Sequence, residues 1–172
     1  MSPQFHVPAH PGAPDARASR RMSALRRRDN DRELAIRSAL HRSGLRFRVT
    51  FPVPGLPRRS IDVAFTRSKV AVFLDGCFWH GCPEHGSSPR SNSDWWATKL
   101  AANSARDLDT SAHLETTGWQ VVRVWEHVPL DEAVATIRAI VNADHLLAPR
   151  GRRTDEVGDK PDDATVAATS FT

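Results

Sequence analysis

Two hydrophobic periods alternate along this chain, and the changes of period mark its elements. Leu34, Ile36, Ala39 and Leu40 recur at helical spacing, and Asn30 or Asp31 can cap a helix that runs to about Ser43 and stops at Gly44. Residues 45–51 alternate as a strand does. The next stretch, PVPGLPRR, is turn-rich and is not expected in a central strand. Residues 60–65 and 70–78 are β-rich runs joined by 66–69. Residues 93–117 return to helical spacing, capped by Ser93 and stopped by Gly118. Trp96, Leu100 and Leu108 form the apolar side of this helix, and Lys99, Asn103, Arg106 and Asp107 a polar one. Residues 119–126 are β-branched and aromatic, hence a strand, and residues 130–142 form an amphipathic helix with Val134, Ile137 and Val141 on one side. Helix, strands, helix, strand, helix predicts an α/β fold, a mixed central sheet flanked by helices.

The paired β-runs make a sharper prediction. A turn at 66–69 sets Phe65 or Arg67 opposite Val70. In either register Asp62 and Asp75 project from one face, as diagonal or direct neighbours, because side chains alternate along a strand. Ile61, Val63, Phe65, Val70, Val72 and Leu74 then form an apolar core face. Two carboxylates so placed repel unless a cation joins them, and Mg²⁺ is suited to one or two carboxylates plus a substrate phosphate. Pairing with nearby arginines such as Arg58 and Arg59 is the alternative. Glu33 falls on the apolar stripe of the first helix, either as a capping-box partner of Asn30 or as a functional group.

Charge adds a partner to this picture. The 172 residues carry a net +4, but residues 17–59 hold 13 arginines, no lysine and three acids, a local +10 that leaves −6 for the remainder. An arginine block of this kind suits phosphate contact and points to nucleic acid. Six of these arginines crowd into residues 17–28, Arg20, Arg21 and Arg26 among them, as a short helix or an arm that orders on DNA. Residues 1–16 and 149–172 show no period and read as disordered tails around one domain at 17–148. No apolar run is long enough to span a membrane and no export segment is evident, so a cytoplasmic, nucleoid-associated address is expected.

The only cysteines, Cys77 and Cys82, lie in DGCFWHGCPEH. With His85, and with His127 at the end of a later strand, they make a Cys₂His₂ set suited to structural Zn²⁺, which leaves His80 free. The alternatives are buried thiols with surface histidines, or a disulfide. Phe78 and Trp79 lie between these ligands and Trp96 downstream, where they are either core residues or a wedge for a base stack.

The order SRRMSALRRRDND, ELAIRSALHRSGLRFR, LPRRSIDVAF, AVFLDGCFWHGCPEH, WWATKLAANSARD, GWQVVRVWEH resembles the very short patch repair (Vsr) mismatch endonucleases over roughly residues 17–140. The resemblance implies a restriction-endonuclease-like fold. It also implies strand-specific nicking of double-stranded DNA 5′ to the T of a T·G mismatch left by 5-methylcytosine deamination. By position it implies Asp62 and the backbone carbonyl of Leu74 as Mg²⁺ ligands, with Asp75 assisting, and His80 as the acid–base residue. Glu33 becomes an active-site carboxylate. Phe78, Trp79 and Trp96 become the intercalating aromatics, and Cys77, Cys82, His85 and His127 the zinc ligands. Asp75 stands where the best-known members have a second histidine, His85 and His127 where they have cysteines, and PRRSID lacks their proline before the aspartate. A cytosine-5 methyltransferase is the implied functional partner, mismatch-repair proteins are further partners, and the implied state is a monomer. A restriction- or defence-type nicking endonuclease of the same fold, or a non-catalytic zinc-stabilised DNA-binding protein, are the other readings.

Overall fold

The computed structural model describes residues 7–9, 11–12, 31–87 and 89–147, with backbone alone for 144–147. Arg20, Arg21, Arg26 and residues 148–172 lie outside the described residues. Helix α1 (Asp31–Arg42) begins with Asp31 and Glu33 and ends with His41 and Arg42, charges that match the helix dipole at both ends. It terminates at Gly44, whose φ of 87° is the left-handed conformation that glycine adopts without strain.

Four strands follow in the sheet order β1-β2-β3-β4: β1 (Arg48–Val53), β2 (Leu56–Phe65), β3 (Val70–Asp75) and β4 (Gln120–Trp125). The first three are antiparallel, and β3 pairs parallel with β4. A parallel neighbour needs a long crossover, and α2 (Ser93–Thr116) supplies it. Helix α3 (Leu130–Leu147) completes the fold.

The helices cover both faces of the sheet. Ile36 and Leu40 of α1, with Ala133, Ile137 and Val141 of α3, pack on Val63, Phe65, Val70, Val72, Val122 and Val124. On the other face Leu114 of α2 and Trp119 pack with Val53, Ile61, Ala64, Ala71 and Phe73. The result is the mixed α/β architecture that the sequence pattern predicts.

Several details differ from the sequence expectation. Most of PVPGLPRR is strand, turning only between Val53 and Leu56. Pro52 is tolerated because β1 is an edge strand, and the pairing is irregular between Pro52 and Val53. β3 ends at Asp75, not at residue 78, where the chain turns into the Cys/His loop. Asn92, at φ 58°, precedes the first turn of α2 where Ser93 was expected to cap it, and Asn92 makes no side-chain cap bond. Leu108 is 73% exposed rather than apolar lining, because α2 turns Trp96, Asn103, Thr110 and Leu114 inward.

The turn sets Phe65 opposite Val70, the first of the two expected registers, but the ladder stops at Val63↔Val72. Beyond it the Leu74 amide donates to Oδ2 of Asp62 at 2.9 Å, so a carboxylate takes the position of a ladder acceptor. In β1, Thr50 lies between the partners of Val63 and Ile61, at a φ of 48°. This break in alternation places Ile61 in the α2-side core and not, as expected, beside Val63.

Candidate active site and metal centre

Asp62 and Asp75 line a single cleft of about 290 Å³. Glu33 of α1, Arg58 and Arg59 of β2, His80, Arg106 and Asp107 of α2, and Arg123 of β4 share its walls. Burial pushes the Asp62 carboxyl above the usual carboxylate range, and the charges of Glu33 and Asp75 add to that rise; the Leu74 amide and Arg37 act against it. A carboxylate in this position is poised to accept a cation. Glu33 is buried and accepts from Arg37 at 3.0 Å within α1.

Asp75 is differently employed. It is 2% exposed, and Arg123 grips both its oxygens, Nε to Oδ2 at 2.5 Å and Nη2 to Oδ1 at 2.8 Å. The arginine comes from β4, not from the neighbouring Arg58 or Arg59, and Arg59 instead donates to Asp109 at 2.7 Å.

His80 follows β3 in the loop and reaches α2. Its Nδ1 lies 2.6 Å from Oδ2 of Asp107 and 3.6 Å from Oδ1 of Asp75. Burial and Arg123 favour the neutral ring, but the bond to Asp107 and the charges of Asp75 and Asp107 outweigh them, so the His80 pKa is raised. Burial opposes ionisation of Asp107, yet His80, Arg123 and Arg106 together hold its pKa below the usual range. Asn103 ties the same loop to α2 by donating to the Trp79 carbonyl at 3.0 Å, and it accepts from Arg106 at 2.7 Å.

Asp107 and Arg123 were not singled out by sequence as site residues. Asp107 stood among the polar residues of its helix, but Asn103, Asp107 and Thr110 follow at four and three residues and share the inward stripe with Trp96 and Leu114. Arg123 is the one charge in the strand QVVRVW. Its partner follows from the parallel register, which sets it beside Phe73.

Next to the cleft, Cys77, Cys82, His85 and His127 bring one ligand atom each to within 4.8 Å of one another. Nδ1 of His127 is 3.2 Å from Sγ of Cys77 and 3.6 Å from Sγ of Cys82, and Nδ1 of His85 is 4.0 Å from Sγ of Cys82. Tetrahedral zinc with bonds of about 2.0–2.3 Å needs donor separations of this order. Nε2 of His127 faces the Glu84 carboxylate at 3.7 Å, the outer partner that orients a metal-bound imidazole. The donors therefore fit a structural metal ion. The loop's path depends on Gly86, where an added Cβ would meet the Cys82 carbonyl oxygen at 2.5 Å.

The aromatics gather at the head of α2. Phe78 lies 5.0 Å from Trp79 and 5.2 Å from Trp96 between ring centroids. Trp96 is buried, while Phe78 and Trp79 are partly exposed. Nearby, Trp95 Nε1 donates to the Pro8 carbonyl at 2.9 Å and Asn92 to that of Gly12 at 3.1 Å, so part of the N-terminal tail lies against this end of α2.

Residues 13–84 match the family model described as DNA mismatch endonuclease Vsr. The type II nicking enzyme V.NaeI of Lentzea aerocolonigenes is 44% identical over 141 residues, 80% of this chain and 82% of that protein. The chain belongs to the Vsr endonuclease family. The type II nicking enzyme V.XorIIP of Xanthomonas oryzae is 40% identical over 108 residues, 61% of this chain and 76% of that protein. The DNA mismatch endonuclease Vsr of Escherichia coli is 33% identical over 116 residues, 64% of this chain and 70% of that protein. As a Vsr-family member the chain is a DNA endonuclease, and the mixed sheet and three helices of its described residues are consistent with the Vsr fold. Among the described residues, no helix is long and apolar enough to cross a membrane.

Proposed function

We propose that this endonuclease nicks duplex DNA on the 5′ side of the T of a T·G mismatch, by Mg²⁺-dependent hydrolysis. The observation that carries the reading is the convergence of Asp62 with the His80–Asp107 pair in a single cleft bordered by Arg58 and Arg106. One such centre meets one strand, and the product is a nick.

Asp62 and the Leu74 carbonyl are the residues that would hold Mg²⁺, with Glu33 as an accessory carboxylate. When bound, the ion supplies an electrophile that polarises water and the phosphate oxygen. His80, fixed through Nδ1 by Asp107, uses its other ring nitrogen to move a proton at the scissile phosphate. Arg58 and Arg106 meet the flanking phosphates, and the arginines of residues 17–28, with Arg20, Arg21 and Arg26, add salt-sensitive grip. Phe78 and Trp79 lead a wedge backed by Trp96, and a mismatch admits it because unstacking there is cheap. Cys77, Cys82, His85 and His127 would hold Zn²⁺, which would tie this loop to the segment after β4.

The enzyme acts in the cytoplasm as a monomer, downstream of a cytosine-5 methyltransferase whose product deaminates to T·G, and hands its nick to mismatch-repair proteins. The naming of V.NaeI and V.XorIIP as type II nicking enzymes favours a second reading, a nicking enzyme tied to restriction.

The test is a nicking assay on labelled duplexes carrying T·G or matched T·A in several flanking sequences, with Mg²⁺ or EDTA. Mg²⁺-dependent nicks confined to T·G support the proposal. Equal cutting of matched duplexes moves the protein to the second reading.

A further inference from the structure

Oδ2 of Asp107 is shared. It lies 2.6 Å from Nδ1 of His80 and 3.4 Å from Nη2 of Arg123. The same guanidinium closes a two-point bond on Asp75, sits 5.1 Å over the Phe73 ring, and approaches Ser111 Oγ at 3.5 Å. Its plane is therefore fixed on edge and face, which a lysine ammonium does not reproduce.

The imidazole faces a choice between two carboxylates, since Oδ1 of Asp75 is only 3.6 Å from Nδ1. Stripped of its arginine, Asp75 would be a buried anion seeking a donor, and the His80 ring is the donor within reach. With Arg123 in place, Asp75 is satisfied and Asp107 is the close acceptor for the ring.

We propose that Arg123 is a positioning residue for the nicking reaction: clamped by Asp75, it withholds that carboxylate from His80 and steadies Asp107, so that the ring presents its outer nitrogen to the phosphate. Asp75 and Arg123 are on this account one unit, and Asp75 acts through the arginine and not as a metal ligand. The inference rests on the acid–base role assigned to His80.

The test compares Arg123→Met, Arg123→Lys, Asp75→Asn and the double variant Asp75→Asn/Arg123→Met. A positioned acid–base group contributes about 10²–10⁴-fold, and losing its orientation is expected to cost roughly 10-fold or more of that. The loss is expected in kcat, with KM for DNA and the calorimetric Mg²⁺ affinity of the free protein unchanged. The double variant should lose no more than either single one, and Arg123→Lys should recover part of the rate. In the NMR spectrum of the free protein, the His80 Nδ1 proton bonded to Asp107 should broaden or vanish in Arg123→Met. If a single variant fails to fold because a lone buried charge remains, the double variant carries the comparison.

Full activity in every variant that folds, the double one included, would overturn the proposal by making the pair purely structural. So would weakened Mg²⁺ affinity in Asp75→Asn alone, which makes Asp75 a metal ligand. A raised KM at constant kcat in Arg123→Met also overturns it, since Arg123 would then be a phosphate contact. If the wild-type protein nicks no duplex, the functional reading fails, while the NMR signal still reports whether Arg123 positions the ring.

Discussion

Nδ1 of His80 stands 2.6 Å from the carboxylate of Asp107, a contact that joins the loop after β3 to the middle of α2 across 27 residues of sequence. It joins two separate stretches in the cleft that Asp62 also lines, where the proposed mechanism has them handle the proton.

From this arrangement, His80→Ala should slow single-turnover nicking by about 10²–10⁴-fold, the range for a general acid–base group. Asp62→Asn should slow it by at least about 10²-fold, since several kcal/mol of metal-derived stabilisation are lost. Binding to a T·G duplex, followed by gel shift, should survive in both. Wild-type rates for Asp62→Asn would remove the metal assignment.

The same ion pair predicts a pH signature in stability. His80 is raised, so its contribution is complete below its unfolded value of about 6.5 and disappears as pH climbs through the raised folded value. Asp107 is lowered, so its contribution is present above about 3.9 and disappears as pH falls through the lowered folded value. Both are complete between about pH 4 and 6.5. In thermal melts without Mg²⁺, Asp107→Asn should therefore lose most stability relative to wild type inside that window, and the gap should narrow at alkaline pH. A gap independent of pH would show that the pair is not ionised.

Zinc should copurify in a one-to-one ratio, read by elemental analysis. Cys82→Ser or a strong chelator should lower the melting temperature by roughly 5 °C or more, given about 2–4 °C per kcal/mol for a domain of this size. A metal-free protein with an unchanged melt would make the Cys/His cluster a coincidence of packing.

DNA affinity should fall steeply with salt. Replacing Arg20, Arg21 or Arg26 by Ala should each reduce the log–log salt slope by about one if the residue neutralises one phosphate. An unchanged slope would take these arginines out of the contact.

The legible part of the fold was the part governed by local rules. The apolar stripe of Ile36 and Leu40 and the stop at Gly44 were enough for α1. The short turn after Phe65 was enough to narrow the register of β2 against β3 to two choices. The Cys/His cluster was readable because the two cysteines of this chain lie five residues apart with histidines close by. The missed features depend on relations between distant segments. Arg123 is one charge in a strand until the parallel register sets it beside Phe73 and against Asp75. Asp107 looks like a solvent-facing acid until α2 is seen to turn a polar stripe inward. Ile61 and Val63 lie in different cores on either side of Asp62, whose carboxylate accepts the Leu74 amide, an arrangement that strict alternation does not anticipate. PVPGLPRR was not expected in a central strand, which agrees with Pro52 on the edge strand β1 but not with Pro57 at the start of the inner strand β2, and nothing local tells the two strands apart.

The central claim is tested most directly by mapping the cut at nucleotide resolution. A duplex with one T·G mismatch, labelled in turn on each strand, is incubated with the protein and Mg²⁺ under single-turnover conditions. The account predicts one product, a break in the thymine strand immediately 5′ of the mismatched T, with the guanine strand intact and the matched duplex uncut. Breaks in both strands, or the same break in the matched duplex, would contradict it.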